Sequence, residues 1–175
     1  MDTLFNYQAQ STVLVTVVEI SVIKAIGPSN GILMTVDRII HGLVGLVFVA
    51  LFATVFKRRI SYKGYALITL TALLGTWVPD WDLWLGIGYQ RSPLTHSALP
   101  ALLFVYPAFN YSMVRPLMIG LCLGLASHLF CDIVFYGNVV GLPGGNNDRL
   151  FLLVNTVVLV LGSSVFTKAF NQSVV

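Results

Sequence analysis

The polar residues of this chain arrive in short bursts between long apolar runs, and the runs set the expected elements. Thr35 to Phe56 is apolar without interruption after His41 and reads as a first membrane helix. Gly64 to Val78 is a second run and stops at Pro79. A third, Ser97 to Asn110, contains Pro100 and Pro107, which predict a kink. A fourth runs from Pro116 to Tyr136 with its proline in the first turn, where a missing N–H costs nothing. A fifth runs from Arg149 to Phe166. Between the last two, residues 137–147 hold five glycines or prolines and three asparagines, which predicts a loop. A helix needs about 20 apolar residues to cross hydrocarbon, so the second and third runs fall short and are expected inside the bundle. Ser11 to Ile26 is apolar and rich in β-branched residues but carries Glu19 and Lys24, leaving a sixth span and an interfacial helix both open. The expected fold is all-α, a polytopic helical membrane bundle of five to six helices. Residues 1–175 are expected to form a single integral membrane domain, with 1–31 as an N-terminal apolar or interfacial segment and 32–167 as the helical core.

Composition agrees. The chain is 57% hydrophobic and only 10% charged, with a mean hydropathy of +0.84, well below the charge content of a soluble domain of this size. The basic pI near 9.0 does not point to nucleic acid, and no nucleic-acid partner is expected. The basic residues lie mostly at the ends of apolar runs, where they fix membrane orientation. The N-terminus lacks a basic leader region and carries Asp2, so no cleaved signal peptide is expected. Cys122 and Cys131 are nine residues apart on one helix, roughly 13 Å, too far to bridge each other.

Charge also orients the bundle. Lys57, Arg58, Arg59 and Lys63 fill the turn after the first helix, Arg115 precedes the fourth and Lys168 follows the fifth. Alternating spans put all of them on one side, which the positive-inside rule makes cytoplasmic. The same alternation brings His41, Asp80 and Asp82, His96, and His128 with Asp132 together at the opposite, extracytoplasmic end. Nothing in this orientation depends on the histidines, yet it gathers them at one level.

Ionisable groups in lipid are costly and usually functional, and imidazoles with carboxylates form a ligand set for divalent ions. His128 and Asp132 are four apart and share a helix face, which Gly120 and Gly124 continue as a stripe that lets helices approach closely. The pair is either a ligand pair or an intrahelical hydrogen bond. Asp80 and Asp82 flank Trp81 after Pro79; both can reach one cation, or one can bind metal while the other activates water. The bland alternative is a polar turn with Trp77, Trp81 and Trp84 as interfacial anchors. Thr95-His96-Ser97 either caps the third helix with an incidental histidine or projects a ligand from its first turn. Arg91 suits an anionic phosphate beside a metal, or is an ordinary loop arginine. His41, sharing a face with Asp37, is a ligand, a partner of a ligand, or an interfacial residue.

In order, Pro79-Asp80-Trp81-Asp82, Arg91-Ser92-Pro93-Leu94-Thr95-His96-Ser97 and Ser127-His128 with Asp132 resemble the signature of the inner-membrane metal-dependent hydrolases, the LexA-binding, inner-membrane-associated group. That signature reads P-D-x-D, then H-R-x-x-T-H-S or H-R-S-P-L-T-H-S, then S-H-x-x-x-D, and the resemblance covers about Ile32 to Leu153. It implies a multi-pass protein of the cell inner membrane with a bound divalent metal, zinc being the expected ion, and a hydrolase activity on phosphoesters or lipids. By motif position Asp80, Asp82, His96, His128 and Asp132 are its functional residues. Gln90 stands where the family has a histidine.

The leading expectation is a metal-dependent membrane hydrolase. The metal ligands are drawn from His41, Asp80, His96, His128 and Asp132, with Asp82 as general base or second metal ligand and Arg91 holding the phosphate of a lipid or phosphoester substrate. The alternative is a non-enzymatic metal-binding or ion-handling membrane protein. A third reading makes the polar residues interhelical glue with no metal.

Overall fold

The computed structural model describes residues 30–56, 60–85 and 91–172. Ser11 to Ile26, the Lys57–Arg59 cluster and Gln90 lie outside the described residues. The chain divides into two units, Met1–Asp37 and Arg38–Val175, and the hydrophobic core lies within the second.

The protein is all-α, with six α-helices among the described residues: α1 Asn30–Phe56, α2 Tyr62–Gly75, α3 Leu99–Leu102, α4 Val105–Asn110, α5 Arg115–Phe135 and α6 Asn146–Gln172. Short 3₁₀ segments occupy Pro79–Leu85 and Ser112–Val114. Among the described residues three helices are long and apolar enough to cross a membrane, over Thr35–Phe56, Ser112–Phe135 and Asn146–Lys168, as a multi-pass membrane protein requires. Their outward faces carry Leu43, Val47, Leu51 and Val55 on α1, and Leu150, Val154, Val158 and Leu161 on α6, all exposed. Water would penalise such surfaces, whereas lipid accepts them.

Helix α5 is central, buried along most of its length between α2 and α6. The glycine stripe explains its approach to α2. A Cβ on Gly124 would overlap the Ala72 carbonyl, and one on Gly120 would overlap Thr71 and the Ile68 carbonyl; from the other side, one on Gly75 would lie 3.0 Å from the Leu121 carbonyl. Backbones meet here because no side chain intervenes. The two helices run parallel, so the C-terminal end of α2 meets the C-terminal half of α5. Helix α1 closes the same end, with Gly45 against Thr76 and Ser127. Hydroxyls within the helices bond back to their own carbonyls, as Thr71 does to Leu67 at 2.7 Å and Thr167 to Ser163 at 2.9 Å, so they are satisfied without water.

The third apolar run differs from expectation. Instead of one kinked helix it forms two short ones, α3 and α4. Pro100 and Pro107 each fall in the first turn of their own helix, where a proline is tolerated and starts a new segment more readily than it bends an old one. Arg115 then turns inward, its Nε donating to the Ala108 carbonyl and Nη2 to that of Phe109, both at 3.1 Å. It thereby satisfies carbonyls left open at the end of α4.

Candidate metal centre

Each element that ends near the α2–α5 junction delivers one or two polar side chains to it. Helix α2 begins at Ser61, whose side chain accepts from the Gly64 N–H, and ends at Thr76. A helix end leaves carbonyls without intrahelical partners. The Thr76 carbonyl is used by His128, whose Nδ1 lies 2.7 Å away and donates to it. His128 is one turn beyond Gly124, so the stripe that brings the helices together also sets this bond. With Nδ1 carrying the proton, Nε2 presents a lone pair to the cluster.

Pro79 cannot continue α2, and the chain turns through the 3₁₀ segment that holds Asp80 and Asp82. Asp82 is fully buried; its Oδ2 accepts from the Ser92 N–H at 2.9 Å and from the Thr95 hydroxyl at 2.8 Å. It also lies 3.3 Å from Nδ1 of His96, which the Thr95 hydroxyl meets at 3.1 Å. Asp82 therefore fixes the 91–98 turn and holds the proton of His96 on Nδ1, leaving Nε2 as a second lone pair aimed inward. The expected capping is met in part: Ala98 occupies the N-cap without a side-chain bond, but the Ser97 hydroxyl accepts from the Leu99 N–H at 3.2 Å, while Thr95 serves Asp82. Burial drives the His96 pKa down from 6.5 to about 4 against the pull of Asp132, so the ring is neutral at pH 7, as a metal ligand must be.

Asp132 lies at the focus. Its Oδ2 is 3.4 Å from His96 Nε2 and 3.5 Å from His128 Nε2, and its Oδ1 is 3.9 Å from His41 Nε2. Asp80 Oδ1 is 3.8 Å from His128 Nε2. The His41 and His128 rings are 4.2 Å apart between centroids, and those of His96 and His128 5.4 Å. Two bare imidazole nitrogens thus face one carboxylate oxygen that has no hydrogen-bond partner among the described residues. Lone pairs confronting a carboxylate repel unless a cation lies between them. The 3.4–3.5 Å separations are long for a direct hydrogen bond. They fit two atoms sharing a tetrahedral ion with bonds of about 2.0–2.1 Å, which sit about 3.3–3.4 Å apart. Asp82 Oδ1 is likewise buried and unpartnered among the described residues.

His41, His128 and Asp132 form one group that could hold a metal, and Asp80, His96 and His128 a second; within each group the donor atoms all lie within 4.8 Å of one another. All five metal-ligand candidates from the sequence are thus gathered at one end of the bundle, with Asp82 behind His96. Four of the five are almost wholly buried, whereas the Asp80 side chain is 22% exposed and gives the cluster its opening.

Arg91 stands beside the cluster. Its φ of 58° is left-handed, a conformation costly for a residue with a Cβ. The surrounding contacts hold it: its carbonyl accepts from the Val140 N–H at 3.0 Å, its guanidinium lies 3.7 Å from the Tyr136 ring centroid, and Nη1 donates to Asn138. Sequence reasoning missed Asp148, which is buried and accepts from the Val139 and Gly144 N–H groups at 2.7 and 2.8 Å. That aspartate folds the 137–145 loop against Arg91. Its position at the start of an apolar helix after a glycine-rich loop was the available signal.

Residues 66–173 match a family described as a domain of unknown function (DUF5942). The chain belongs to that family. The matched stretch contains Asp80, Asp82, Arg91, His96, His128 and Asp132, while His41 precedes it. No curated protein and no solved structure matches the chain.

Proposed function

We propose that this protein is a metal-dependent membrane hydrolase that cleaves a phosphoester carried on a lipid or lipid-linked substrate, with a function like that of the inner-membrane hydrolases its motifs resemble. The observation that carries this reading is the meeting of His96 Nε2 and His128 Nε2 at Asp132 Oδ2, an arrangement that a divalent ion such as zinc would satisfy. Its ligands would be drawn from His41, Asp80, His96, His128 and Asp132. When bound, such an ion supplies Lewis acidity and makes water a nucleophile near neutral pH. The chain's own groups do the rest. Thr76 and Asp82 fix the tautomers of His128 and His96. Asp82, whose Oδ1 has no hydrogen-bond partner among the described residues, would serve as general base toward a water in the site. Arg91, pre-positioned by Tyr136 and Asn138, is the cation for the phosphate.

The positive-inside distribution of Lys63, Arg115 and Lys168 supports a site near the extracytoplasmic face of the inner membrane. An apolar groove of about 380 Å³ supports a lipid tail. It runs between α2 and α5 and is lined among others by Leu74, Val78, Trp81, Leu117 and Leu121. The near-complete burial of four donors favours a second reading, a static metal site without turnover.

The test is release of phosphate or phosphorylated headgroup from a panel of lipid phosphoesters, with and without chelator. Turnover should vanish with chelator and in His128→Ala. Asp82→Asn should weaken metal affinity by about 10–100-fold if it orients His96, or slow turnover with metal retained if it is the base. Activity surviving both chelator and His128→Ala would refute the proposal, and bound metal without turnover on any substrate would establish the static site.

A further inference from the structure

We propose that the centre holds two ions bridged by the Asp132 carboxylate, an inference that rests on the metal reading above. The five donors do not form one group but two that overlap. A single ion with bonds of about 2.0–2.2 Å brings any two of its ligand atoms within about 4.4 Å of each other. The first group, His41, His128 and Asp132, supplies three ligands. The second is built on Asp80 and His96, and within it His128 is the contested member. His128 cannot serve both ions, because its Nδ1 is committed to the Thr76 carbonyl and only Nε2 remains.

Asp132 resolves the conflict because it has two oxygens facing different partners. Oδ1 is directed to His41 at 3.9 Å, whereas Oδ2 lies 3.4 Å from His96 and 3.5 Å from His128. One ion would be held by His41, His128 and Asp132, the other by Asp80, His96 and Asp132 Oδ2. Each then has three protein ligands and an open position, the pattern of catalytic rather than structural sites. Paired ions of this kind clamp the attacking and leaving oxygens of a phosphoester, which matches the proposed substrate class.

The experiment is metal stoichiometry on the full chain in lipid nanodiscs, with any histidine tag removed, after saturation with Mn²⁺ or Zn²⁺ and removal of excess. Elemental analysis should find two ions per chain in wild type and one in both His41→Ala and Asp80→Ala. The Mn²⁺-loaded wild type should give an exchange-coupled paramagnetic resonance spectrum, and the two variants the spectrum of an isolated ion. Wild type saturating at one ion with an uncoupled spectrum would overturn the two-ion centre and leave the hydrolase reading standing. Wild type binding no metal would overturn both. The wild-type measurements decide the matter even where a variant fails to fold.

Discussion

Replacing Gly124 with alanine should damage the metal centre although no metal donor is touched. The added methyl would overlap the Ala72 carbonyl, and Gly75 lies just beyond, so neither backbone can give way locally. Helices α2 and α5 would have to part by about 1 Å to restore ordinary contact. Residue 128 is one turn further along, about 6 Å. There the 2.7 Å bond from His128 to the Thr76 carbonyl would open to about 3.7 Å and be lost. Overpacking costs about 1–3 kcal/mol and the lost buried bond about 1 kcal/mol, while alanine in place of glycine returns about 1 kcal/mol of helix propensity. The net destabilisation is about 1–3 kcal/mol, or roughly 3–9 °C in Tm for a chain of this size. Metal affinity should fall about 10–100-fold, as for loss of any group that orients a ligand. Thermal unfolding and metal titration in the same nanodiscs measure both. Gly162→Ala is the control, since a Cβ there meets only Cys122 Sγ at 3.9 Å. If Gly124→Ala keeps wild-type stability and affinity, or Gly162→Ala loses as much, the close approach does not hold the site together.

Two further outcomes are expected. In the presence of chelator, stability should fall as pH drops from 6.5 to about 4 and level off below. His96 is held neutral in the folded state, so unfolding takes up a proton only within that window; a pH–stability profile of His96→Gln should lack this part of the slope. Arg91→Lys should raise KM for the phosphoester by about 10-fold or more, the worth of a charge-assisted hydrogen bond, with metal content unchanged. Metal loss equal to that of His128→Ala would instead make Arg91 part of the scaffold.

The sequence by itself determined the long helices, the loop and the level of the polar residues. Apolar length fixes how far a helix can run in lipid: α1 and α6 contain their expected runs, and α5 ends one residue before the end of its own. The glycine stripe at 120 and 124 was legible because a four-residue spacing maps onto one helix face whatever the partner is. Gathering five donors at one end also followed from alternation of spans alone. Tertiary structure alone decided which donor faces which. That Asp82 stands behind His96 while Asp132 lies between His96, His128 and His41 depends on the path of the 91–98 turn, which no periodicity encodes. The splitting of the third run into α3 and α4 depended on where each helix started relative to its proline. Arg115 shows the same division: its charge was visible in the chain, but its bonds to the Ala108 and Phe109 carbonyls exist only because α4 ends beside it. Local patterns fix what a residue can do within its own element, whereas a site whose five donors come from four separate segments is set by the contacts between them.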